Sequence, residues 1–180
     1  MDSGSGTGAR DTGADPADVL VRQLWRERRR ATPNEREQIQ RRIASAPFNP
    51  DLVDVPPEFR GKTFGRERFG TRAESLLVHL AQRVWDDKQW RLSTTEGEYL
   101  ADLRRAAGDD EAELVVYERR HGLFVGVLAP NRLSPRRLGR APGALMYVVY
   151  SAHRGILVTG YQVAHRRRLL VPGDSLWLRA

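Results

Sequence analysis

The sequence predicts an α+β fold, with N-terminal helices followed by a four- to five-stranded antiparallel sheet. Three observations predict it. Apolar residues recur at helical spacing up to Gly108, the period shortens towards two after it, and short turn signals join the later runs. Helices first and strands after them place the helices on one face of the sheet.

Residues 1–14 are rich in Gly, Ser, Thr and Asp and offer nothing to bury, so they read as a disordered tail. Asp15-Pro16 starts a helix, with Asp as its cap and Pro at its first position, running to about Arg30. Thr32-Pro33 repeats the signal for a mostly polar helix to about Ser45. The two form a helical hairpin over residues 15–46, with too few apolar positions to fold without the rest of the chain. Residues 47–70 carry Pro47, Pro50, Pro56, Pro57, Gly61, Gly65 and Gly70, which predicts a linker with short extended pieces. Residues 71–180 form the main domain.

Thr71 starts a third helix to about Lys88, with Leu77, Leu80, Ala81, Val84 and Trp85 on one stripe. Ser93 and Glu96 are spaced as a capping box for a fourth helix to about Ala107, closed by Gly108. Glu113–Arg120 and Leu123–Ala129 read as a hairpin about His121-Gly122, and Leu145–Ala152 and Ile156–Ala164 as another about His153-Arg154-Gly155. Leu169–Val171 and Leu176–Leu178 supply a fifth, edge strand. Asn131–Gly143 is a basic loop between the hairpins.

Charge divides the chain. Residues 1–110 hold 19 Lys+Arg against 19 Asp+Glu, while residues 111–180 hold 11 Arg against four acidic residues, so the whole net charge of +7 lies in the strand-rich part. No acidic residue occurs from Asn131 to Gly173, where eight arginines and two histidines stand. Such asymmetry points to a polyanion, and arginine forks onto phosphate. The plain alternative is a solvated basic face in an arginine-rich chain, which has 28 Arg and two Lys. With no cysteine, disulfides, thiolate zinc sites and cysteine nucleophiles are excluded. The first residues lack the apolar core of a secretory signal, and no apolar run approaches the ~20 residues of a membrane span, so a cytoplasmic protein with no membrane partner is expected.

The four histidines lie far apart without carboxylates at ligand spacing, so no metal and no cofactor is expected. The phosphate loop, the nucleophile elbow and the dinucleotide fingerprint are also missing. Two arrangements remain. On the third helix, His79 points away from the apolar stripe, beside Arg72, Arg83 and Asp86. An imidazole among arginines suits acid–base work near a phosphate, though the same pattern fits an exposed polar face. In the last hairpin Thr159 and Tyr161 share a face, with Tyr150 placed on it too, and Gly160 between them leaves room for a helix on the other face. Hydroxyls and phenols there can hold a phosphate or stack on a base, although Thr and Tyr favour any strand. RNA can be cut with these groups alone, because its 2′-hydroxyl supplies the nucleophile.

A helix bearing Leu76-Leu77-Val78-His79-Leu80-Ala81 is followed by Glu98–Arg104 and then by hairpins. These end in Tyr147–Tyr150, a turn, and Gly155-Ile156-Leu157-Val158-Thr159-Gly160-Tyr161. Over about residues 72–165 this order resembles the metal-independent ribonuclease toxins of the barnase, EndoU, colicin and RelE group. It is most similar to the tRNA-cleaving domain of colicin D. The resemblance implies a small α+β nuclease with His79 as acid/base and Thr159 and Tyr161 facing the phosphate. It also implies RNA, tRNA included, as substrate and an acidic antitoxin or immunity protein as partner. Those toxins often carry a lysine just before the histidine, where this chain has Val78. Arg119, Arg120, Arg136, Arg137, Arg140, Tyr150, Arg154, Arg166 and Arg167 are the expected nucleic-acid contacts. Two other readings stay open: a non-catalytic nucleic-acid-binding protein with the same basic sheet, and a protein-interaction module.

Overall fold

In the computed structural model, residues 14–169 and 171–178 are described, so the expected tail lies outside them except for Ala14. Helix α1 spans Pro16–Glu27 and α2 spans Pro33–Ser45. Asp15 accepts from Ala17 N at 2.9 Å, and Thr32 and Glu35 close a reciprocal capping box on α2. Helix α1 ends before the expected Arg30, because Arg28 takes a left-handed conformation at φ 50°.

Residues 47–70 contain short extended pieces, as expected. Strand β1 (Leu52–Asp54) is followed by a 3-10 turn at Pro57–Phe59 and the small hairpin β2 (Thr63–Phe64) and β3 (Glu67–Arg68). Phe59, Phe64 and Phe69 are buried around Trp85, with ring centroids 5.9, 6.0 and 5.7 Å from it.

The third helix begins later than expected. Arg72–Glu74 is strand β4, paired with β1, and α3 covers only Ser75–Ala81. The extended ladder wins here because Val55 N already bonds Thr71 O at 2.9 Å and Ser75 N bonds Asp51 O at 3.2 Å. Beyond α3 the chain widens into a π turn over Gln82–Asp86, with Asp87 N bonding Gln82 O at 2.9 Å. Helix α4 spans Glu96–Ala107 and its capping box is Thr95 with Glu98, two residues past the expected pair. Thr94 is buried in a turn onto Arg91 O at 3.0 Å, so the helix starts only after it.

The main sheet is antiparallel and five-stranded, in the order β8-β7-β6-β5-β9. Its strands are β5 (Glu113–Arg119), β6 (Gly122–Pro130), β7 (Leu145–Ser151), β8 (Ile156–Val163) and β9 (Leu176–Leu178). The fold is thus α+β, with helices preceding the sheet. The larger core lies between the sheet and the helices and runs from Val21 and Ile39 through Tyr99 and Leu103 to Val125 and Val148. A smaller cluster on the other face joins Tyr117, Tyr147, Val149, Val163 and Leu169. Gly160 fulfils its expected part: a Cβ there would sit 2.3 Å from a Leu103 methyl, so α4 approaches β8 where no side chain intervenes. Among the described residues, no helix is long and apolar enough to cross a membrane.

A bulge corrects one placement. Val149 pairs with Thr159 but Tyr150 pairs with Leu157, which leaves Val158 as an extra residue in β8. One added residue reverses the faces beyond it. Thr159 and Tyr161 therefore lie opposite Tyr150, not beside it. Tyr150 is buried among the helices, 1% exposed, and donates to Asp18 Oδ1 at 2.6 Å. It is a core residue and cannot reach a nucleic acid.

Asp18 is also buried, and burial raises its carboxyl against the opposing pull of Tyr150 and Arg42. Tyr150→Phe removes the hydroxyl that solvates it. Urea denaturation of this variant should show a loss of about 1–3 kcal/mol, the usual consequence of stranding one buried polar partner.

Candidate functional site at the edge of the sheet

β8 lies at the edge of the sheet, so its outer backbone groups need partners other than a strand. Near its start, Leu157 N bonds Pro47 O at 2.8 Å and Asn49 N bonds Leu157 O at 2.7 Å. Gly160 O accepts from Tyr99 Oη at 2.7 Å and Arg83 Nε at 3.0 Å. Gln89 brackets Gln162, its Oε1 accepting from Gln162 N and its Nε2 donating to Gln162 O, both at 2.8 Å. Side chains from the π turn and the residues after it thus close the edge.

This closure carries the candidate site. Arg83 Nη2 donates to Thr159 Oγ1 at 3.2 Å, and Thr159 Oγ1 lies 3.1 Å from His79 Nδ1. Arg83 also pairs with Asp87 through Nη1 at 2.5 Å, and its guanidinium lies 5.0 Å from the Tyr161 ring centre. The imidazole meets Phe48 edge-on at 5.7 Å between centroids. His79, Thr159 and Tyr161 are half-buried, whereas Arg83 is only 8% exposed.

Arg83 can only donate, so Thr159 Oγ1 accepts from it and keeps its own hydrogen for the imidazole. His79 Nδ1 then accepts and Nε2 carries the ring hydrogen, a tautomer assigned from this chain of bonds. Burial, helped by the neighbouring Arg83 charge, brings the His79 pKa down to about 4. The ring is therefore neutral at physiological pH, with Nδ1 able to accept a hydrogen bond, and it is a weaker base than an ordinary imidazole. Burial raises the Tyr161 phenol, so it stays protonated and can donate.

The expected phosphate contacts are dispersed: Arg154 and Arg166 flank β8, Arg119 and Arg120 lie at the end of β5, and Arg136, Arg137 and Arg140 lie in the 131–143 loop. Arg154 stands at its beginning and pairs with Asp51 at 2.7 Å. Arg166 follows its end, pairs with Glu113 at 2.9 Å and lies over the Trp177 ring at 3.9 Å. Arg137 is held by Glu98 at 2.5 Å and Asp102 at 3.5 Å. Arg119 lies over Tyr117 at 5.5 Å. Arg119, Arg120, Arg136, Arg140 and Arg167 are exposed. Arg72, expected beside His79, is instead in β4, facing Leu52 O and Asp54. Among the described residues, no cluster of three or more His, Asp or Glu has the makings of a metal site.

Sequence reasoning did not single out Asp87, Gln89 or Phe48, and it gave Arg83 no role beyond sharing a helix face. The signal for Arg83 was its i, i+4 spacing from both His79 and Asp87. Nothing local marks Gln89 or Phe48, whose parts depend on β8 being an edge. No protein-family model matches this sequence, and no curated protein or solved structure matches it.

The depressed imidazole has a consequence in acid. Unfolded, His79 takes a proton near its ordinary value of 6.5, but folded only near 4. The unfolded chain binds more protons in that window, so acid favours unfolding. This contribution to stability is intact above about pH 6.5 and is lost as pH falls through about 4. NMR should place the His79 titration near 4, and His79→Gln should flatten the fall of Tm over that window. A midpoint at or above 6.5 would contradict the buried geometry.

Proposed function

We propose that this chain is a metal-independent endoribonuclease, with His79, Thr159, Arg83 and Tyr161 at its reaction centre. The observation that carries the reading is the bonded chain Arg83–Thr159–His79, at 3.2 and 3.1 Å, which joins residues some eighty positions apart. In the reaction proposed, the substrate's 2′-hydroxyl gives its proton to Thr159 Oγ1, whose own proton passes to His79 Nδ1. The 2′-oxygen bonds to phosphorus and the bond to the 5′-oxygen breaks. That oxygen takes a proton from the imidazolium, which leaves a 2′,3′-cyclic phosphate and a 5′-hydroxyl. Arg83, fixed by Asp87 and Gly160, holds positive charge beside the place where negative charge grows. Tyr161 offers a hydrogen bond to a phosphate oxygen, or its ring to a base. The resemblance to the colicin D domain makes tRNA the first substrate to test, and an acidic immunity-type protein the first partner.

A second reading has an observation of its own. Phe124, Tyr161 and Trp177 are half-buried on the sheet face away from the helices, and arginines already lie on Tyr161 and Trp177. Such a face can stack bases without cutting them.

The two readings separate in one experiment. Incubated with total RNA in excess chelator, the protein should cut, and His79→Ala should lower the rate by about 10²–10⁴-fold while binding persists. Cutting that survives in His79→Ala, or stops in chelator, overturns the proposal. Binding without cutting by the unaltered chain supports the second reading.

A further inference from the structure

The end of the π turn and the 131–143 loop enclose a cleft of about 680 Å³. Trp85, Leu92 and Leu138 form its apolar wall, and Lys88, Arg91 and Arg140 supply three cations. Among the described residues, no carboxylate lines it. Leu92 is 68% exposed, the most open of the large apolar side chains among the described residues.

The cleft is built in advance. Gly139 N bonds Gln89 O and Ala141 N bonds Lys88 O, both at 2.9 Å, and Arg91 Nε bonds Leu138 O at 3.2 Å. A Cβ at Gly139 would lie 2.2 Å from Lys88 O, so only glycine lets the two segments come this close. Lys88 is held at φ 56°, a left-handed conformation unfavourable for a residue with a side chain. Strain kept in place by surrounding bonds clusters at ligand sites.

Its position matters too. Lys88 precedes Gln89, which brackets Gln162, the residue after Tyr161. The helical segment that carries His79 and Arg83 continues into Val84 and Trp85 of the cleft wall. The cleft thus adjoins the end of β8 through Gln89 and Gln162.

We infer that this cleft is a nucleotide subsite, taking one base and its phosphate from single-stranded RNA beyond the cleaved bond. A bare anion would use the cations and leave the apolar wall idle. A base with its phosphate uses both, by stacking or packing on Trp85 and Leu92 and by charge at Lys88, Arg91 and Arg140. The inference rests on the ribonuclease reading for its substrate, but binding can be tested without cutting.

Trp85 and Trp90 both line the cleft, so their fluorescence reports on it. Titration with a 2′-O-methyl oligoribonucleotide, which cannot be cut, should perturb that fluorescence. Leu92→Asp, which adds a negative charge at the open rim, should weaken binding about tenfold or more. A second variant, Lys88→Gly with Arg140→Ala, relieves the strained backbone while removing two cations, and should also weaken binding about tenfold or more. In cutting assays both variants should raise KM more than they lower kcat. Unchanged affinity in both, or equal competition by inorganic phosphate alone, overturns the inference. If the unaltered chain cuts no RNA, the ribonuclease reading fails, and the titration still decides the cleft.

Discussion

Gly160 O accepts from both Tyr99 and Arg83, and Gln89 brackets the backbone of Gln162. These bonds answer the need created where β8 ends the sheet: its outer groups would otherwise stand open to another chain. A further strand would satisfy them with backbone alone. Here side chains do it over Gly160 and Gln162, and the segment 47–49 does it at Leu157. The choice has a consequence for chemistry. Side chains that reach the edge bring their own charge and acid–base character with them.

Arg83 shows how tightly this is coupled. A guanidinium only 8% exposed needs partners, and it has Asp87, Gly160 O and Thr159 Oγ1. Arg83 lies in the π turn that follows the seven-residue α3, four residues after His79 and four before Asp87. The same positive charge, added to burial, keeps His79 neutral. A side chain that closes a sheet edge thus also adds, after burial, to what holds the imidazole beside it neutral. Fold stability and the proposed chemistry draw on the same side chain.

Much of the architecture was legible in the sequence because local signals agree with tertiary demand. Thr32-Pro33 opens α2, and the alternation after Gly108 delivers the two long hairpins. Three features were not legible, each for a physical reason. The π turn leaves the same apolar stripe as an α-helix over a short window. Arg72–Glu74 carries no strand signature of its own, and pairs because Leu52–Asp54 is held nearby. The bulge at Val158 has no mark in the local sequence, yet it decides which face Thr159 and Tyr161 occupy. His79 and Thr159 could be named from residue type and position, but their meeting depends on that bulge and on the edge. Alternation without the bulge puts Thr159 and Tyr161 with Tyr150 on the helix side, away from Arg83's cation contact with the phenol ring.

The arginine count needs the same structural correction. Net charge suggests one basic field, but Arg137, Arg154 and Arg166 each face a carboxylate within 3 Å. Such pairs fix loops and strand ends more than they attract a distant polyanion, because the carboxylate cancels the field beyond about a Debye length. The cations of the cleft differ. Lys88, Arg91 and Arg140 stand around an apolar wall that, among the described residues, has no acid in its lining. Loop 131–143 therefore does two things with its basic residues. Arg137 ties it to α4 by a salt bridge, and Arg140 faces the cleft. Arg140 of the basic loop thus joins Lys88 and Arg91 where the loop meets the end of the π turn, one residue from the glutamine that closes the edge of β8.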